Sequence, residues 1–168
     1  MDVIEAIAAR RSVRNFTGEE VTDAELDTIL DAGRLAPSGL NNQPWCFAIV
    51  RDEKVKNELS GFSHYGRLLT EANVLVAVFF RHDKAYNRDK DMHGIGACIE
   101  NMWLAATSIG IGMCWLGEIL ARHEDVEKTI GVPGGHELMA VLCLGHPKKD
   151  SAKRTDRLPL EKLVIKRL

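Results

Sequence analysis

The chain has 168 residues, 45% apolar and 27% charged, a balance that fits one globular domain with a real core and excludes a disordered or fibrous polymer. Its formal net charge of -2 speaks against a protein that holds nucleic acid by bulk electrostatics. The longest apolar run, residues 74–80, is too short to span a bilayer, and the first residues, with Asp2 and Glu5, lack the layout of a secretion signal, so the cytoplasm is the expected compartment.

In chain order, Asp2 is placed to cap a helix whose apolar residues Val3, Ile4, Ile7 and Ala8 recur at helical spacing and whose C-terminal end is basic. Thr22 and Glu25 form a capping-box pair ahead of a stripe of Leu26, Ile29 and Leu30, which ends before Ala36-Pro37. Residues 45–50 are aromatic and β-branched and predict a strand, followed by a charged helix over 53–59. The consecutive apolar residues 74–80 predict a central strand covered on both faces. Residues 81–90 are polar and are expected to form a surface loop. Over residues 92–109, Ile95, Ile99, Met102, Trp103 and Ala106 predict a long buried helix ended by Gly110. A strand over 113–116, a helix over 123–130 stopped by Gly131 and Pro133, and a strand over 138–144 complete the interleaved pattern. After Gly145-His146-Pro147 the chain turns basic, then regains Leu158, Leu160, Leu163, Val164 and Ile165, a tail suited to docking on a second subunit.

Cys46, Cys98, Cys114 and Cys143 lie far apart in apolar stretches without a C-x-x-C pair, as reduced core thiols do. The six histidines show no zinc spacing, so no metal is expected. No Rossmann or phosphate-loop glycine motif occurs, and no serine or cysteine nucleophile arrangement can be assembled.

Three segments could carry chemistry. Arg10, Arg11, Ser12 and Arg14 gather three guanidinium groups and a hydroxyl, donors that suit a phosphate, although arginines at a helix end also serve simply to satisfy its last carbonyls. Residues 36–45, Ala-Pro-Ser-Gly-Leu-Asn-Asn-Gln-Pro-Trp, string hydroxyls and amides between two prolines. They could read the edge of a flat heterocycle or form an Asx-rich turn. Residues 110–118 are punctuated by glycine, which would let backbone N–H groups approach a ligand. A second basic region, Lys148, Lys149, Lys153, Arg154 and Arg157, is either a solvated run or the other half of a phosphate site.

Taken together and in order, these segments resemble the nitroreductase family across nearly the whole chain. The first helix ends in Arg-x-Ser, then come Pro-Ser-x-x-Asn-x-Gln-Pro-Trp, the buried helix around residues 97–106, Gly-x-Gly-x-Cys-Trp-x-Gly, and Leu-Gly-His-Pro. The resemblance implies an α+β fold with a central, mainly antiparallel sheet flanked by helices. It also implies an intertwined homodimer whose C-terminal tails are exchanged and whose two FMN molecules lie at the subunit interface. It assigns Arg10, Ser12 and Arg157 to the FMN phosphate, Arg14 to the N1 and C2 carbonyl edge, and Leu116, Gly117 and Glu118 to the strand end facing N5, with Arg11 a weaker contact. Pro37, Ser38, Asn41 and Gln43 would border the ring from the other subunit. NADH or NADPH is the implied transient donor, and a nitroaromatic, quinone or activated alkene the acceptor, in a ping-pong scheme with no catalytic side chain. A reductive dehalogenase, a flavin-fragmenting enzyme or an FMN store are alternatives on the same fold. The chain departs from the pattern at residues 62–67, where Arg67 is the one candidate contact, and at residues 81–92, which are too short for covering helices.

Overall fold

The computed structural model describes residues 1–149 and 156–168. Helix α1 spans Val3–Ala9, capped by Asp2 in a reciprocal box with Glu5, and α2 spans Asp23–Arg34, capped the same way by Thr22 and Glu25. Strand β1 covers Trp45–Val50 and α3 covers Glu53–Ser60. A further helix, α4, Gly66–Glu71, lies where the sequence gives no helical signal; no side chain caps it, and Leu68 and Leu69 hold it by burial. Strand β2, Val74–Arg81, leads to α5, Arg88–Ser108. The helix begins a turn earlier than its apolar stripe predicts, because Asn87 caps it through Lys90 N, so residues 88–90 are not loop. Strand β3 is Gly112–Leu116, α6 is His123–Ile130 with Gly131 left-handed behind it, and β4, His136–Gly145, is longer than its apolar stretch.

The strands form one sheet in the order β1-β2-β4-β3, every pairing antiparallel. Side chains alternate across a strand, so β2 feeds two cores at once. Val74, Val76, Val78 and Phe80 meet Leu26 and Ile29 of α2 and Ile95, Ile99 and Met102 of α5 on one face. Leu75, Ala77 and Phe79 meet Leu59 of α3, Leu69 of α4 and Val126 of α6 on the other. Each of the larger side chains contributes about 1.5–3 kcal/mol by leaving water, and burial on both faces is why β2 needs no alternation of polar residues.

Cys98, Cys114 and Cys143 are buried as expected, while Cys46 on the edge strand β1 is half-buried. Two apolar surfaces are left uncovered. On α1 only Ala6 is buried, and Val3, Ile4 and Ile7 are exposed; in the tail Leu158, Leu160, Leu163, Ile165 and Leu168 are exposed. Among the described residues no helix is long and apolar enough to cross a membrane.

Candidate functional site

The segment that follows α1 is sewn to the sheet. Ser12 makes a parallel bridge to Met113 of β3, Val13 N donates to Met113 O at 3.0 Å, and Phe16 bridges Pro147. Thr17 N reaches His146 O at 2.8 Å and Lys148 N reaches Asn15 O at 3.1 Å, so the first lysine of the second basic region lies beside the segment that carries the first. Close contact requires glycine beneath it: a Cβ on Gly112 would lie 2.7 Å from Val13, and one on Gly145 would lie 2.8 Å from Phe16.

On this platform Arg10 stands at the end of α1, its guanidinium 4.5 Å from the Trp103 ring centroid and its Nε 3.5 Å from Glu100 Oε1. Burial pushes the Glu100 carboxyl above its ordinary range against the pull of Arg10. Arg11 turns back and donates to Ala8 O and Arg10 O, both at 2.7 Å, the helix-end role, while lining a cavity of about 480 Å³ together with Lys148. Arg14 is exposed and close enough to act on the Cys114 thiol, which burial raises and Arg14 lowers. Strand β3 stops at Leu116; Gly117 follows, and Glu118 opens a short 3-10 turn. The Glu118 carboxylate accepts from His64 N at 2.9 Å and Ser63 Oγ at 2.8 Å, bonds that hold it below the usual carboxylate range and fix the turn at residues 63–65 against the strand end. Arg67 pairs with Glu71 on α4. Ser12 and Arg14 thus lie beside Met113 and Cys114 of β3 and Arg10 beside α5, while Leu116, Gly117 and Glu118 form the strand's C-terminal end against residues 63 and 64.

Arg157 lies exposed in the tail, where its Nη1 donates to Asp156 O at 3.4 Å; Lys153 and Arg154 fall outside the described residues.

Residues 37–43 form a second group. Leu40, Asn41 and Gln43 have φ of 53°, 54° and 49°, left-handed values that non-glycine residues seldom adopt. Ser38 Oγ accepts from Gln43 N at 3.0 Å, and Gln43 Nε2 donates to Asn41 O at 3.2 Å. Asn41 and Gln43 also line an open cavity of about 1170 Å³ with Trp45, Cys46, Arg81 and Tyr86. Asn42 turns inward, its Nδ2 donating to Asp91 Oδ1 at 2.7 Å and to Lys84 O at 2.8 Å. Neither Asn42 nor Asp91 stands out in the sequence. Asn42 is one amide among several, and Asp91 falls at the edge of a polar stretch.

Helix α5 separates the two groups. Pro37 and Ser38 pack at Gly94, whereas Arg10 packs at Glu100 and Trp103. At about 100° and 1.5 Å per residue, Gly94 and Trp103 point to opposite sides of the helix, roughly 13 Å apart along it. Within one chain Arg10 and the amide loop therefore pack against opposite sides of α5.

A family model described as the nitroreductase family matches residues 7–66 and 62–146. A protein of Archaeoglobus fulgidus provisionally named NADH dehydrogenase/NAD(P)H nitroreductase is 33% identical over 93% of this chain and 92% of its own length. The NADPH-flavin oxidoreductase of Vibrio harveyi is 30% identical over 97% of this chain and 72% of its own. Among solved structures, a provisionally named nitroreductase of Desulfovibrio desulfuricans in complex with FMN superposes with a TM-score of 0.94 at 35% identity, covering 100% of this chain and 98% of the other. By sequence, by fold and by the order of its motifs, this chain belongs to the nitroreductase family.

Proposed function

We propose that the chain is one half of a homodimeric, FMN-dependent oxidoreductase that takes hydride from NADH or NADPH and delivers it to a small acceptor such as a nitroaromatic or a quinone. FMN, when bound, supplies the hydride-accepting and hydride-donating atom. This chain's residues fit that group. Arg10 and Ser12, with Arg157, hold the phosphate, because guanidinium and hydroxyl donors match its oxygens. Arg14 places a fixed positive charge where the ring gains negative charge on reduction. Backbone at Leu116, Gly117 and Glu118 lines the ring from the same chain, with Arg11 at its margin; Pro37, Ser38, Asn41 and Gln43 border it from the other. No side chain is required as a nucleophile.

The observation that supports this reading is the placement of Arg10 and the amide loop against opposite sides of α5, so that a ligand bordered by both would take each from a different copy. The uncovered apolar residues of α1 and the tail supply surface for that pairing, with the tail wrapping the partner. All 168 residues then act as one domain, and the cytoplasm is the compartment that supplies the reductant.

Purified protein is expected to be yellow and dimeric, and to bleach on anaerobic addition of NADH or NADPH. A colour that persists with NAD(P)H but is lost with dithionite would indicate a flavin store, and aerobic product analysis separates acceptor reduction from flavin fragmentation. Co-expression tests the shared site directly. Chains carrying Arg10→Ala and chains carrying Asn41→Ala with Gln43→Ala each bind FMN poorly alone, yet their mixed dimer regains one intact site. Absence of any recovery would show that each site is made by one chain.

A further inference from the structure

Asp91 is completely buried in the first turn of α5. A buried carboxylate is costly unless its oxygens are satisfied, and here they are. Oδ2 accepts from Tyr86 N at 2.9 Å and Asn87 N at 3.1 Å, and Oδ1 accepts from Asn42 Nδ2 at 2.7 Å. The same Nδ2 reaches Lys84 O, so one carboxylate fastens the turn at residues 84–87 to the amide loop, 49 positions away in sequence. That loop is not self-supporting. The left-handed region is sterically costly for a non-glycine residue, and three such residues stand around Asn42. Leu40, Asn41 and Gln43 are exposed, leaving Asn42 as the inward anchor. Its other amide atom, Oδ1, is buried without a partner. An orphaned acceptor offsets part of what the donated bonds contribute, so this amide adds less to stability than its short bonds imply and more to shape.

We propose that Asp91 and Asn42 are positioning residues of the flavin site: their buried hydrogen bond sets the left-handed loop in the conformation that presents Asn41 and Gln43 to the ring held by the adjacent subunit. The inference rests on the proposed FMN site. The chemistry at position 91 suits a carboxylate, because one oxygen meets the adjacent N–H groups of Tyr86 and Asn87 and the other meets the amide of Asn42. An isosteric amide would turn a donor toward a donor.

The test is a titration of each dimeric protein, stripped of flavin, with FMN and with riboflavin, followed by visible absorption and circular dichroism at saturation. Asn42→Ala and Asp91→Asn are each expected to weaken both flavins about tenfold, the loss of one charge-assisted hydrogen bond. The FMN-to-riboflavin ratio stays unchanged, because the phosphate contacts are intact. The dichroism of the saturated flavin changes in both variants, a readout that a mere loss of stability would not move. The double variant is expected to be no weaker than Asp91→Asn alone. An Asn42→Ala protein that binds both flavins within twofold of wild type, with the wild-type spectrum, overturns the proposal. Should Asp91→Asn fail to fold, Asn42→Ala and Asn42→Ser decide it alone. Wild-type protein that binds no FMN would overturn the underlying site, and the proposal with it.

Discussion

The segment after α1 and the loop before β1 both hold polar donors at the surface, but they are built in opposite ways. Residues 10–17 form an irregular segment pinned to β3 and β4 by backbone bonds and two isolated bridges, with Val13 and Phe16 pressed against Gly112 and Gly145. Residues 37–43 have little buried apolar surface and a left-handed backbone secured by polar side chains. The first region separates shape from chemistry: its platform is held by backbone bonds and by Val13 and Phe16, not by its arginines. In the second, shape is made of the same polar groups that would touch a ligand.

The largest effect expected from this contrast is at Arg10. Arg10→Ala should lower FMN affinity about ten- to hundredfold, the range for losing a charge-assisted contact to phosphate, and leave riboflavin binding near wild type, as read by fluorescence titration. Equal losses for both flavins would mean that the platform itself had moved. Next is the packing beneath it. Gly112→Ala forces a methyl against Val13 and is expected to cost about 1–3 kcal/mol in urea denaturation. Gly39→Ala meets only the exposed ring of Tyr86, which can swing aside, and should cost less than about 0.5 kcal/mol. Similar costs at the two glycines would erase the distinction.

A smaller effect of the opposite sign is expected at Leu40, whose side chain is 80% exposed at φ 53°. Leu40→Gly relieves the left-handed strain and should stabilise the protein by roughly 0.5 kcal/mol, net of the greater entropy of an unfolded glycine, measured calorimetrically. The smallest effect concerns acid. Burial pushes the Asp91 carboxyl up, but the Tyr86 amide, the Asn42 side chain and the Asn87 amide together hold it below the ordinary range. A carboxyl lowered on folding adds stability above its unfolded value of about 4 and loses it as pH falls through the folded value. Asp91→Asn should therefore flatten the acid limb of a stability profile below about pH 5, whereas Arg11→Ala should leave that limb unchanged.

Much of this architecture can be read from residue patterns, because its main determinants are local. The capping boxes at Asp2 and Thr22, the continuous apolar run of β2 and the Gly131 stop each act within a few residues. Helix α4 is hidden because it has no side-chain cap and only six residues, too few for a period to show. The first turn of α5 is hidden because Arg88, Asp89, Lys90 and Asp91 look solvated, although the last of them is buried. At the site, the arginines gain meaning only beside the other motifs, since Arg11 demonstrates how readily such a side chain serves its own helix end. The bond between Asn42 and Asp91 leaves no trace in spacing, because it joins a loop to the first turn of a helix that only the fold brings beside it.

Because Gly94 and Trp103 are held on opposite sides of one uninterrupted helix, the chain is unequally open to changes of length. A single residue inserted between them would rotate one face against the other by about 100° and turn the loop away from its target, whichever residue was added. An insertion outside α5, such as one between α6 and β4, leaves that phase unchanged.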